Sequence, residues 1–427
     1  MRSRRFLGLP KGAATTILLA FALALTLRMF HYVPGMAMAD NLWIAAAVLY
    51  LVGPYLLSKL HTGFAIPPFE LYVIFIIVVM PFVASLAALN VFAQPTYYGI
   101  GSQRSVVLCA WALALIHACR RGLFEIKHVE SAFIFLAWGS LFVYTAVTVL
   151  VNPESKLGDG TFIKGGIIEE AFFNFNVIFI IFGFLYYVMS GFMRKNIAQY
   201  FLAVPFLIYI IVVDMGRMRL LAMLLSVVIC VVRYGTFKRV RFFSIWSSVV
   251  VILIGLFFYL FDADFAASRL TKFADAFKVL VTGEVGSDVS ANQRIYESLT
   301  AMPYILEHWL IGAGRISSQW NGGYSGVIGS YFYPSDIGML GAFFMYGLFG
   351  CMIYAIQFYF AWRNAKSIPK NHQHFIFLAS IVGCLWYYAL HSLTAGLFVH
   401  FIETGILMGA ILYVAAFLER HTQTSAV

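Results

Sequence analysis

The sequence predicts an all-α protein that lives in a membrane and crosses it about 12 times. Three observations predict it. Of 427 residues, 62% are apolar and only 11% are charged, whereas a soluble chain carries about 25% charged residues. The apolar residues gather into stretches near the ~20-residue length that a helix needs to cross hydrocarbon. Lys and Arg are distributed unevenly between the segments that join those stretches. A soluble enzyme, a disordered chain and a disulfide scaffold are excluded by this composition. The five cysteines (Cys109, Cys119, Cys230, Cys351, Cys384) all fall inside apolar stretches, so they imply no disulfide framework.

In chain order the stretches run roughly 12–30, 41–58, 67–90, 105–119, 131–151, 172–191, 198–214, 218–233, 243–261, 337–361, 374–391 and 397–418. The first follows a basic leader, Arg2, Arg4 and Arg5, and precedes Ala37-Met38-Ala39, which resembles a signal peptide with its cleavage site. Its length and the Arg28 near its end favour an uncleaved helix. With the N-terminus inside, every inner loop carries at least one Lys or Arg, and most of the 29 such residues lie on that side. Both termini are then cytoplasmic. The formal charge of +10 is mostly an insertion signal, and no nucleic-acid partner is implied.

The chain divides into nine spans with short loops over residues 1–261, one long outer loop over 262–336, and three spans over 337–427, all within one membrane domain. No internal repeat is visible. That weakens a transporter reading, because many transporters are built from repeated halves.

Long loops on a rigid scaffold tend to carry function. Here Phe265 to Leu280 is amphipathic, with Leu270, Phe273, Phe277 and Leu280 at helical spacing. Ser290 and Gln293 have capping-box spacing and open a second helix with Ile295, Leu299, Met302, Leu306 and Trp309 as its apolar positions. Pro303 is expected to kink it, and Gly312-Ala313-Gly314 ends it. The Gly-, Ser- and Tyr-rich stretch Ser317 to Tyr333, which includes Tyr324, has the composition of a mobile flap or a sugar-contacting surface.

The run Asn292-Gln293-Arg294, Pro303, Glu307-His308-Trp309-Leu310-Ile311-Gly312-Ala313-Gly314, Ser335-Asp336-Ile337-Gly338-Met339-Leu340 and Tyr346-Gly347-Leu348-Phe349-Gly350 resembles the signature region of the O-antigen polymerase and ligase superfamily. Met215-Gly216-Arg217-Met218-Arg219-Leu220 resembles a second motif of that superfamily, at the outer mouth of a span. The resemblance spans roughly residues 205–350. Trp309 stands where a Pro is common, and Ser335-Asp336 stands where ligases carry a His, which favours a polymerase over a ligase.

The resemblance implies a glycosyltransferase-C-like bundle in the bacterial inner (cytoplasmic) membrane, with the large loop periplasmic. It also implies the reaction: transfer of a glycan from an undecaprenyl diphosphate carrier to a sugar hydroxyl of another lipid-linked repeat unit. The partners would be the lipid-linked oligosaccharide donor and acceptor, membrane lipid, and a chain-length regulator or export proteins. A ligase-type glycan transferase and a flippase or transporter of lipid-linked glycan are the alternatives.

Negative charge grows on the departing diphosphate, so fixed cations should supply much of the catalysis. Arginine suits that task because its planar fork binds phosphate oxygens bidentately. Arg217 and Arg294 are the candidate clamp, with Arg219 and Arg315 assisting; an interfacial arginine reaching for water is the plainer alternative. Asp336, His308, His391, His400 and Glu403 are candidate general bases, although Asp336 could equally cap a helix, a loop His is usually solvated and His391 lies at a span end. His400 and Glu403 are candidates for lining the site, Glu403 because an acid within a span is costly to keep there. Asp214 is better placed to orient Arg217 or Arg219 than to react. Glu169 and Glu170 suit a helix N-terminus, and Asp262 and Asp264 a solvated helix end. No metal site, cofactor or nucleotide-binding loop is expected; Gly312-Ala313-Gly314 lacks the strand–helix setting of such loops.

Overall fold

In a computed structural model the protein is described over residues 11–29, 36–61, 66–150, 161–163, 171–173, 176–214, 216–261, 289–329 and 332–424. Helices α1 (Lys11–Thr26) and α2 (Met36–Tyr50) come first. A π-helical turn over Leu51–Tyr55, which contains Pro54, carries α2 on into α3 (Leu56–His61). Then follow α4 (Pro68–Phe92), α5 (Thr96–Ser102), a 3₁₀ segment (Arg104–Cys109) that leads into α6 (Ala110–Arg120), and α7 (Ile126–Leu150). Two short antiparallel strands, β1 (Thr161–Ile163) and β2 (Ala171–Phe173), set Phe162 opposite Phe172. Next are α8 (Ile178–Arg194), α9 (Ile197–Ile208) ending in a π-helical turn (Tyr209–Asp214), α10 (Arg217–Tyr234) and α11 (Phe237–Phe261). The segment after α11 contributes α12 (Val289–Glu307) and α13 (Gly323–Val327). The chain closes with α14 (Gly338–Lys366), α15 (Phe375–Ser392), α16 (Leu397–His400) and α17 (Ile402–Thr424).

A helix occupies each of the expected apolar stretches. Among the described residues, 7 helices are long and apolar enough to cross a membrane, or 8 if the α5–α6 pair, bent by 49°, counts as one span. The outward surfaces agree: Phe142 is 76% exposed, Leu150 80% and Val232 74%. Large apolar side chains so exposed on helix after helix are at home in hydrocarbon rather than water. The chain is a polytopic membrane protein.

Local chemistry moves two boundaries. The sixth stretch becomes helical only at Ile178, because Ala171–Phe173 is engaged in the ladder and the Asn176 side chain accepts the Ile178 N–H at 3.2 Å. In the loop, α12 begins at Val289, one residue ahead of Ser290, and Gln293 turns to Glu297 at 3.4 Å. The helix runs on through Pro303. The amphipathic stretch 265–280, Asp262, Asp264, Glu169 and Glu170 lie outside the described residues.

The core is aromatic. Phe133 meets Phe179, Phe182 and Phe377 edge-on at 5.0–5.7 Å, joining α7, α8 and α15. The bundle packs α15 against α10 and α8, and α17 against α14 and α6. Two clusters occupy the end where α3 closes and α4 opens. Lys59 pairs with Glu70 at 2.7 Å, and Arg120 reaches both Glu70 and the Tyr413 hydroxyl; Arg233 lies 3.8 Å over the Trp362 ring. Following the helices up and down brings Arg28, Asp40, Arg104, Asp214, Arg219, Arg294, Arg315, Asp336, His391 and His400 to the opposite end.

One helix is broken to receive the loop. Gly347 interrupts α14 with φ 59° and ψ −155°. The break frees main-chain groups, and 309–314 takes them up. Ala313 and Gly314 donate to the Phe344 and Met345 carbonyls at 2.7 and 3.1 Å, while Leu348 and Phe349 donate to Trp309 and Leu310 at 2.8 and 3.0 Å. A Cβ on Gly314 would lie 2.2 Å from the Ala88 nitrogen, so the Gly-x-Gly turn is a backbone-on-backbone dock.

Candidate functional site

Two groups of charged residues meet at this end of the bundle. The first gathers round His391, the penultimate residue of α15. His391 is 4% exposed, stacks on Tyr387 at 5.5 Å, and has no hydrogen-bond partner for Nδ1 among the described residues. The charges of Arg219, from the first turn of α10, and Arg294, from α12, both bear on its ring. Arg219 is held by an ion pair with Asp214, the last residue of the π turn. So Asp214 orients Arg219. Arg217 opens α10 two residues earlier and is half-buried; residues two apart on a helix do not share a face.

Beside Arg294, one turn along α12, sits Glu297. It is 1% exposed; Oε1 accepts from Gln293, and Oε2 finds no partner among the described residues. Burial first, then the negative charge of Asp336, push its carboxyl up to about 7, with Gln293 and Arg294 pulling the other way. Asp336 is exposed and accepts from the Ser335 hydroxyl at 3.2 Å. Asp336 precedes α14 by two residues, and Ile337 takes the capping position.

The second group lines a polar cavity of about 570 Å³. Arg28, Arg104 and Arg315 supply its positive charge, Asp40 its negative charge, and Ser102, Ser105, Ser317, Ser325, Tyr324 and His400 its polar lining. Arg28 donates to the His400 carbonyl at 3.3 Å and Arg315 to the Val399 carbonyl at 3.2 Å. These are the last carbonyls of the short α16, which a helix end leaves unsatisfied. Arg104 is exposed and makes no ion pair among the described residues. Glu403, one turn beyond α16, is 1% exposed, accepts no hydrogen bond from another described residue, and feels the charges of Arg28, Asp40 and Arg315.

Gln94 fixes the wall. Fully buried, it donates to the Arg315 carbonyl at 3.0 Å and accepts the Ser317 N–H at 2.7 Å. Tyr324 accepts the Ile316 N–H at 3.1 Å; burial pushes its hydroxyl up, so it stays protonated. The Gly-, Ser- and Tyr-rich stretch is therefore tied to the bundle at these points rather than hanging free.

The two groups share a seam. Pro334 and Ser335 line the cavity, Asp336 faces Glu297, and the Gly396 N–H donates to the Ser335 carbonyl at 2.6 Å. The sequence-derived set divides accordingly: Arg219, Arg294 and Asp336 on one side, Arg315, Tyr324 and His400 on the other, with Glu403 behind the second. His308 lies at the end of α12, 4.0 Å from Glu307, and lines neither. Sequence reasoning missed Glu297, Arg104 and Asp40 as site residues; Arg28 it noticed only as a charge near a span end. A basic residue at the mouth of a span was the available signal for Arg104. Among the described residues no group of three or more His, Cys, Asp or Glu side chains could hold a metal ion.

Compared with known proteins, the chain matches no family model and no curated sequence.

Proposed function

We propose that this chain is a polysaccharide polymerase of the bacterial inner membrane, with twelve spans, both termini cytoplasmic and the long loop periplasmic. The observation that carries the reading is that Arg219, held by Asp214, and Arg294 of α12 come from separate elements to the same end of the bundle as the exposed carboxylate of Asp336. Two guanidinium groups from separate elements suit the diphosphate of a lipid-linked donor.

In this reading the acceptor hydroxyl oxygen attacks the anomeric carbon of the donor glycan. A new carbon–oxygen bond forms as the bond to the diphosphate oxygen breaks, and the electron pair departs with the diphosphate. Arg294 and Arg219 stabilise that charge. Asp336 takes the hydroxyl proton. The break in α14 is filled by the loop's own main chain, so it lends no support to a transport path.

The test is to incubate the purified protein with a lipid-linked repeat unit, without metal or nucleotide. A ladder of longer lipid-linked products is expected; unchanged single units would overturn the reading. In a strain lacking the protein, single lipid-linked units should accumulate on the outer leaflet, whereas long carrier-linked chains would indicate a ligase.

A further inference from the structure

A polymerase that joins two lipid-linked units must hold two lipid diphosphates at once, and the Arg219–Arg294 group accounts for one. The cavity of Arg28, Arg104 and Arg315 is a second cationic site across the Ser335–Gly396 seam, with three guanidinium groups against one aspartate on its walls. Its charge fits a dense anion. Its serines and Tyr324 add hydrogen-bonding groups for phosphate or sugar oxygens.

Further along α2 lies an apolar groove. Residues Asp40, Asn41 and Ile44 of α2 line the cavity, and Tyr50 and Pro54, further along the same span, line a groove of about 400 Å³. Leu18, Leu19, Ala22, Leu23, Trp111 and Ala114 form its walls from α1 and α6. Trp43 sits at the junction: its indole N–H donates to Thr26 at 3.1 Å and its ring stacks on Trp111 at 4.2 Å. Thr26 and Trp111 are themselves groove residues. A polar cavity at one end of the bundle, with a separate apolar groove further along α2 beyond Trp43, matches a ligand with a polyanionic head and a long hydrocarbon tail.

We infer that the Arg28–Arg104–Arg315 cavity binds a second polyprenyl diphosphate, the acceptor lipid, with its prenyl chain in the α1–α2–α6 groove. Naming that lipid the acceptor rests on the polymerase reading; its binding does not. Arg104, exposed at the mouth, is the residue whose loss disturbs packing least. Arg28 and Arg315 also hold the end of α16.

The experiment is native mass spectrometry of the full-length protein with undecaprenyl diphosphate, with free pyrophosphate and phosphatidylglycerol as separate probes. Two undecaprenyl diphosphates per chain are expected for the wild type. R104Q should weaken the second roughly ten-fold, and A114W, which fills the groove without replacing a charged residue, should remove it. R294Q should remove the other. One lipid diphosphate per chain in the wild type, or two in both R104Q and A114W, would overturn the inference. So would free pyrophosphate or phosphatidylglycerol occupying the cavity as tightly as the prenyl diphosphate. Two bound lipids without a product ladder would leave this site standing and sink the polymerase reading; a ladder that R104Q and A114W leave untouched would do the reverse.

Discussion

Asp214 and Arg219 form an ion pair across the junction between α9 and α10, at the point where a π-helical turn ends one helix and Gly216 starts the next. The Asp214 side chain is 8% exposed and that of Arg219 25%. Asp214 Oδ2 has no hydrogen-bond partner among the described residues, so the arginine is its main compensation.

Replacing Asp214 by Asn should therefore strand Arg219. The expected cost is roughly 1–3 kcal/mol, below that of breaking a fully buried pair because Arg219 keeps some exposure. A thermal melt in detergent reads the loss. Product formation should fall in both Asp214→Asn, which leaves the guanidinium misplaced, and Arg219→Lys, which keeps the charge but loses the fork.

Gly347→Ala should destabilise by more than about 2 kcal/mol, because φ is 59° and a Cβ there would stand 2.5 Å from the Gly312 nitrogen. Gly139→Ala is the control, since a Cβ at Gly139 meets nothing within 4 Å. Equal melting temperatures for the two variants would contradict the dock described above.

Glu297 makes stability depend on pH. Its folded carboxyl titrates near 7, above the ordinary 4.5. A raised acid pKa means that the folded state resists losing the proton. Stability from this group is thus intact below 4.5, falls as pH rises toward 7, and levels off above it. Glu297→Gln should remove that fall. The gap in melting temperature between variant and wild type should widen from pH 5 to pH 7.5 and then stay constant; a gap that does not vary with pH would count against it.

Conservative changes separate phosphate recognition from simple charge. Arg294→Lys retains the positive charge but not the fork, and should slow polymerisation by at least about ten-fold with little change in melting temperature. Full activity in that variant would remove the basis for the donor site.

Much of the architecture was legible in the sequence because hydrocarbon imposes a length rule. Each apolar stretch near 20 residues became a helix, and the basic loops indicated which ends belong together. The π turns at Leu51–Tyr55 and Tyr209–Asp214 left no such trace, since they alter hydrogen bonding without altering hydropathy. For the site, arginines at span mouths were visible as costly residues. Glu297 was not: on an amphipathic loop helix it looked like any solvated acid, yet the fold leaves it 1% exposed. The division of the candidates into two groups depends on the Ser335–Gly396 contact between distant segments, which no local pattern encodes.

The broken α14 has a consequence for traffic through the outer end. Residues 309–314 complete the hydrogen bonding of that helix, and lifting them away would leave main-chain carbonyls and amides unpaired beside hydrocarbon, where each costs several kcal/mol. This stretch cannot work as a hinged cover. In the proposed reaction, lipid substrates would then enter sideways, between the helices and from the plane of the bilayer.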